Sequence, residues 1–83
     1  MSKVHVIVYS RPGCHLCDEA KEAIAQAHCE ESYTLDEINI ETSGDLLKKY
    51  RFDIPVICIG GVESFRHRVD TTEFRKMIEA HRT

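Results

Sequence analysis

Proline and glycine are scarce in this chain of 83 residues, at two and four respectively. Apolar residues nevertheless recur along its whole length, so low-complexity disorder is excluded. An excess of basic charge is also missing. Eleven Lys and Arg stand against 14 Asp and Glu, for a formal net charge of −3. No general field exists to hold a phosphate backbone, and no nucleic-acid partner is expected. Long hydrophobic runs are lacking near the N-terminus, where residues 6–8 form only a short one. The sequence therefore predicts no secretory signal, no membrane span or membrane partner, and a cytoplasmic address. There is no internal repeat and no linker. A single domain over residues 1–83 is expected, with a monomer as its state. A chain of this size buries only about 60–68% of its unfolded surface, so the core is small.

Val4, Val6 and Val8 alternate with His5, Ile7 and Tyr9 before Ser10-Arg11-Pro12-Gly13 ends the run. This β-branched stretch reads as a strand buried on both faces. A helical pattern follows, in which Leu16, Ala20, Ile24 and Ala27 form one stripe and Asp18 and Glu19 occupy the dipole-favoured first turn. Residues 33–40 read as a second strand with Leu35, Ile38 and Ile40 as its apolar members. Thr42 or Ser43 caps a short helix that buries Leu46, Leu47 and Tyr50, with Lys48, Lys49 and Arg51 as its solvated end. Residues 54–59 form a third strand that begins with a proline. Gly60-Gly61 makes a hairpin turn, and residues 62–67 form an edge strand. Asp70 as N-cap, Glu73 at N3, and a staple between Val69 and Phe74 mark the start of the last helix. The order is β-α-β-α-β-β-α. The first crossover is expected to be right-handed, and helices should cover both faces of a four-stranded sheet.

The chemistry-bearing feature is Cys14-His15-Leu16-Cys17, at the junction of the first strand and first helix. Helical geometry sets the two Cα atoms about 5 Å apart, and a disulfide needs about 4.4–6.8 Å. The ring it would close is short and removes little unfolded-state entropy, so chemistry explains the pair better than stapling. Cys14 would sit at the helix N-terminus, where amide groups and the dipole favour an anion. Such sites lower a thiol pKa from about 8.5 to about 3.5–7.5. Cys14 is thus the expected nucleophile, and Cys17, deeper in the helix, the resolving thiol. Arg11 and His15 add positive charge nearby, the latter in a pH-dependent way. Half of a zinc site is the other chemistry open to this pair. It needs four ligands, a second paired motif is missing, and His28 and Cys29 lie at the far end of the same helix. Cys58 reads as a core residue and Cys29 as an inert thiol. His5 and His81 read as structural or surface residues.

The segment Tyr9-Ser10-Arg11-Pro12-Gly13-Cys14-His15-Leu16-Cys17-Asp18-Glu19-Ala20 resembles the active-site segment of glutaredoxin-like proteins in the thioredoxin superfamily. Ile54-Pro55-Val56 resembles that superfamily's cis-proline segment. The resemblance spans nearly the whole chain. It implies an α/β, thioredoxin-like three-layer sandwich with a four-stranded mixed sheet, and a thiol–disulfide oxidoreductase activity. It also implies a cis Ile54–Pro55 bond beside Cys14, where Ile54 and Pro55 pair with an extended substrate. The implied partner is a disulfide-containing protein or glutathione. No cofactor is held tightly, no metal is expected, and glutathione is the candidate reductant.

The chain departs from the family pattern in two places. His15-Leu16 stands where glutaredoxins commonly have Pro-Tyr. His67-Arg68-Val69-Asp70 stands where they have a Gly-Gly pair, a small residue and Asp. Asp70 fits and the glycines do not. Asp70 is therefore a helix cap first, and a ligand contact where glutathione binds. Arg68, with His67, could meet a glutathione carboxylate or an acidic segment of a protein partner. The rival reading keeps the same fold for a non-enzymatic metal or iron–sulfur carrier, or for a redox-sensing adaptor.

Overall fold

The computed structural model describes residues 3–81. Its elements run β1 (Val4–Ser10), α1 (His15–Ala25), β2 (Tyr33–Asn39), α2 (Gly44–Tyr50), β3 (Val56–Ile59), β4 (Val62–Arg66) and α3 (Thr71–His81), with single 3₁₀ turns at Glu30–Ser32 and Ile40–Thr42. The sheet order is β2-β1-β3-β4. β1 is parallel to β2 and antiparallel to β3, and β3 is antiparallel to β4 with a register shift at Ile57/Cys58. This is the expected α/β sandwich on a mixed sheet.

The two central strands place side chains on both faces, as their period of two requires. On one face Val4, Val6 and Val8 of β1 and Ile57 and Ile59 of β3 pack against Ala20 and Ile24 of α1 and Phe74 and Ile78 of α3. Tyr33 meets Phe74 edge to face, with centroids 5.4 Å apart. On the other face Val56 packs with Ile40 and Tyr50, flanked by Tyr9, Leu46, Leu47, Ile54 and Cys58. Tyr9 and Tyr50 stack at 4.7 Å. Each such aromatic pair adds about 0.5–1.5 kcal/mol beyond its buried area.

The helix ends follow local chemistry. Ser43 caps α2 by accepting from the Leu46 N–H, and Asp70 Oδ1 accepts from the Glu73 N–H at 3.0 Å at the start of α3. Loss of such a cap costs about 1 kcal/mol. α3 also braces α1. The Thr71 hydroxyl donates to the Ala23 carbonyl at 2.9 Å, and Arg75 donates twice to the Ala27 carbonyl, at 3.0 and 2.8 Å. The Gly60-Gly61 turn has φ of 59° and 84°, the positive pair that a tight right-twisted hairpin needs.

Several expectations change in detail. Leu16 does not join the buried stripe of α1. It is 40% exposed, and Cys17 takes its place beside Ala20 and Ile24. The helix stops at Ala25, so buried Ala27 follows it, and His28 adopts a left-handed φ of 55°. Leu35 is also 40% exposed, because β2 is an edge strand, and Ile40 lies beyond that strand in a 3₁₀ turn. The third strand starts at Val56, after Pro55, whose missing N–H cannot join a ladder. β4 ends at Arg66, before His67 at φ 68°. His5 gains a partner in Asp36 at 2.7 Å.

Candidate active site

The site begins as a turn. Pro12 fixes the φ of its second residue, Gly13 supplies a φ of 75°, and the Cys14 N–H donates to the Arg11 carbonyl at 3.3 Å. These are the features of a type II turn. The turn delivers Cys14 to the N-cap of α1 in an extended conformation, with φ −85° and ψ 109°. From there its Sγ accepts the Cys17 N–H at 3.2 Å, and its carbonyl accepts the Asp18 N–H. A sulfur in this place receives a donor that would otherwise lack an intrahelical partner.

Cys17 lies one turn deeper and is 2% exposed. Burial, followed by its hydrogen bond with Cys14, pushes its thiol up to about 12. Cys14 is half-buried, and both cysteines are thiols. One sulfur is therefore reachable and hydrogen-bonded, while its mate is sheltered and protonated at neutral pH.

A cluster behind Cys17 was not read from the sequence. The buried Ser10 hydroxyl donates to Glu37 Oε2 at 2.7 Å, and Lys21 Nζ donates to Glu37 Oε1 at 3.2 Å. Lys21 also lies 3.7 Å from Asp18. The Ser10 hydrogen bond, then that of Lys21, holds the Glu37 carboxyl below its ordinary value. Cys17, Ser10, Lys21, Glu37, Pro12 and Asn39 share the walls of a recess of about 290 Å³. The sequence shows only a slip in alternation near Asp36-Glu37; the parallel pairing that sets Glu37 opposite Val8 and Asn39 opposite Ser10 is what brings the carboxylate to the hydroxyl.

The remaining candidates are distributed around this centre. Ile54–Pro55 is cis, Pro55 is buried, and its carbonyl accepts the His67 N–H at 2.8 Å. The backbone N–H and C=O of Ile54 have no partner among the described residues. Arg11 is exposed and its carbonyl closes the turn. His15 is turned outward, with Nε2 3.2 Å from Glu19 Oε2. Arg68 lines a groove that Leu16 also lines, and Asp70 caps α3. Cys58 and Cys29 are both half-buried against core clusters on opposite faces of the sheet. Among the described residues no three or more His, Cys, Asp or Glu side chains are grouped to hold a metal ion. No described helix is long and apolar enough to cross a membrane.

The family model described as Glutaredoxin-like domain (DUF836) matches residues 5–79. The chain belongs to the glutaredoxin-like family. A glutaredoxin-like protein of Dictyostelium discoideum is 36% identical over 73 residues, covering 81% of this chain and 68% of its own. A structural-genomics target protein from X. campestris superposes with a TM-score of 0.76 at 28% identity, over 90% of this chain and 96% of that one. A thioredoxin from Halobacterium salinarum, at 14% identity, shares the fold with a TM-score of 0.67 over 99% of this chain and 77% of its own. The glutaredoxin-like family and the thioredoxin fold are thereby shown for this chain, and the paired sulfurs sit at the start of its first helix.

Proposed function

We propose that this protein is a thiol–disulfide oxidoreductase that uses Cys14 and Cys17 as a dithiol–disulfide couple. The observation that carries the reading is the asymmetry of the pair. Cys14 Sγ accepts the Cys17 N–H at 3.2 Å at a helix start, while the Cys17 thiol is buried and held up to about 12. The thiolate is the nucleophile in disulfide exchange, and the sulfur that a substrate can reach is that of Cys14.

The Cys14 thiolate attacks one sulfur of a substrate disulfide. The Cys14–substrate S–S bond forms, the substrate S–S bond breaks, and the displaced thiolate takes a proton from solvent. Cys17 then gives its proton to solvent and attacks Cys14 Sγ. The second substrate sulfur leaves as a thiolate and is protonated. Two electrons have passed to the substrate, and the protein carries a Cys14–Cys17 disulfide. The free backbone groups of Ile54 supply an edge on which an extended substrate can pair. Protein disulfides and glutathione mixed disulfides are the substrates, glutathione is the reductant, and a reducing cytoplasmic compartment suits the cycle. No tightly held cofactor enters it.

Turnover of a glutathione mixed disulfide, coupled to glutathione reductase, tests the reading. Cys14→Ser should abolish turnover. Cys17→Ser should accumulate a covalent adduct on Cys14, visible as added mass that reductant removes. Equal activity of both variants overturns the mechanism.

A further inference from the structure

Leu16 lies between the two cysteines yet points outward. With Ala20, Ala23 and Val69 it forms the apolar floor of a groove of about 300 Å³, whose rim carries Glu19, His67 and Arg68. That volume lies at the small end of ligand pockets and suits one or two side chains rather than a large cofactor. The groove is pre-formed. Its far wall is fixed by the His67 N–H on the Pro55 carbonyl at 2.8 Å, and the Thr71 hydroxyl pins that segment to the Ala23 carbonyl of α1 at 2.9 Å. The floor therefore begins two residues from Cys14 and ends at the loop tied to the cis proline.

The charges around it are unevenly engaged. Glu19 faces His15, Asp18 and Glu37 face Lys21, Asp53 faces Arg66 and His67, and Asp70 caps α3. Arg68 has no carboxylate partner among the described residues, and neither has Arg11 in the turn before Cys14. In a chain of net charge −3, the two loops that flank the nucleophile leave their arginines open.

We propose that this groove seats an extended segment of a disulfide-bearing protein, in which a side chain of leucine size packs on the Leu16 floor and an adjacent Asp or Glu faces Arg68. The proposal rests on the exchange reading above and names the substrate class of the same site. Charge complementarity selects an acidic segment. The apolar floor selects a protein segment over glutathione, which has no apolar side chain to cover it.

The test uses the reduced full chain and peptides whose cysteine is replaced by serine, so that binding needs no exchange. Three peptides differ only beside that serine, as Leu-Glu-Glu, Leu-Lys-Lys and Gly-Glu-Glu. Amide shifts are followed by NMR titration. The Leu-Glu-Glu peptide should bind about tenfold tighter than the other two, with shifts at Leu16, Ala23, Arg68 and Val69. Arg68→Glu should invert the preference between acidic and basic peptides without altering the melting temperature. Leu16→Ser should reduce the leucine peptide to the level of the glycine one. Equal binding of acidic and basic peptides, no saturable binding of any peptide, or equal perturbation of the groove by reduced glutathione at the same concentration overturns the proposal. Selective binding without turnover would leave the groove standing and sink the exchange reading. Turnover of disulfide peptides without selectivity would do the reverse.

Discussion

The Cys17 backbone N–H reaches the Cys14 sulfur at 3.2 Å, so Cys17 contributes to the site through its backbone as well as its thiol. The two sulfurs also differ in access, since Cys17 is 2% exposed and Cys14 is half-buried. Alkylation of the native reduced protein at neutral pH should therefore modify Cys14 and spare Cys17. Peptide mapping by mass spectrometry reads this directly. Equal labelling of the two would contradict the asymmetry.

The raised Cys17 thiol has a consequence for stability. Its folded value of about 12 lies well above the ordinary thiol value, with burial as the main cause. The unfolded chain releases this proton first as pH rises. The stabilising contribution is complete below the ordinary value and is lost progressively between there and about 12. Melting temperature of the reduced protein should fall across alkaline pH, and Cys17→Ala should flatten that limb. A variant with an unchanged limb would show that another group sets it.

Ser10 and Glu37 act in the opposite direction. The Ser10 hydroxyl, with Lys21, lowers the Glu37 carboxyl below its ordinary value. This contribution is present above that ordinary value and is lost as pH falls through the lowered one. Ser10→Ala removes a buried donor to a charged acceptor, a change worth about 1–2 kcal/mol in urea unfolding. The acid limb of the variant should be smaller and level off at higher pH than in the unaltered protein. Coincident acid limbs would argue against the pairing.

Gly13 holds a φ of 75°, and a Cβ there would meet no atom within 4 Å. The cost of Gly13→Ala is therefore backbone strain alone, about 1–2 kcal/mol. Because the strained residue immediately precedes Cys14, exchange should slow together with the loss of stability. Full activity at reduced stability would separate the turn from the positioning of sulfur.

What the sequence made legible follows from how local each signal is. The Asp70–Glu73 cap, the Gly60-Gly61 hairpin and the spacing of Cys14 and Cys17 are all short-range features, and each stands in the structure. Leu16 was misplaced for a geometric reason. At 100° per residue, Leu16 and Cys17 each lie about 50° from the axis of the stripe through Ala20, Ile24 and Ala27. Periodicity cannot choose between them, and tertiary packing selects the smaller cysteine. The end of α1 was overrun because His28, rather than a glycine, takes the left-handed conformation beyond it. The Ser10–Glu37 and His5–Asp36 pairs join residues 27 and 31 apart in sequence. They depend on the parallel register of β1 and β2, which no local pattern encodes.

The bonds from Thr71 and Arg75 clasp the carbonyls of Ala23 and Ala27. The rear of the sulfur-bearing helix is thus anchored to its neighbour, while its front leads out of the Arg11–Gly13 corner and is tied to β2 by Lys21 and Glu37. Cys14 stands half-buried at the end of that corner, and Cys17 is held in the packed stripe of the helix. In the proposed cycle, any shift of Cys14 toward its mate would be taken up by Arg11, Pro12 and Gly13, three residues that carry no sulfur.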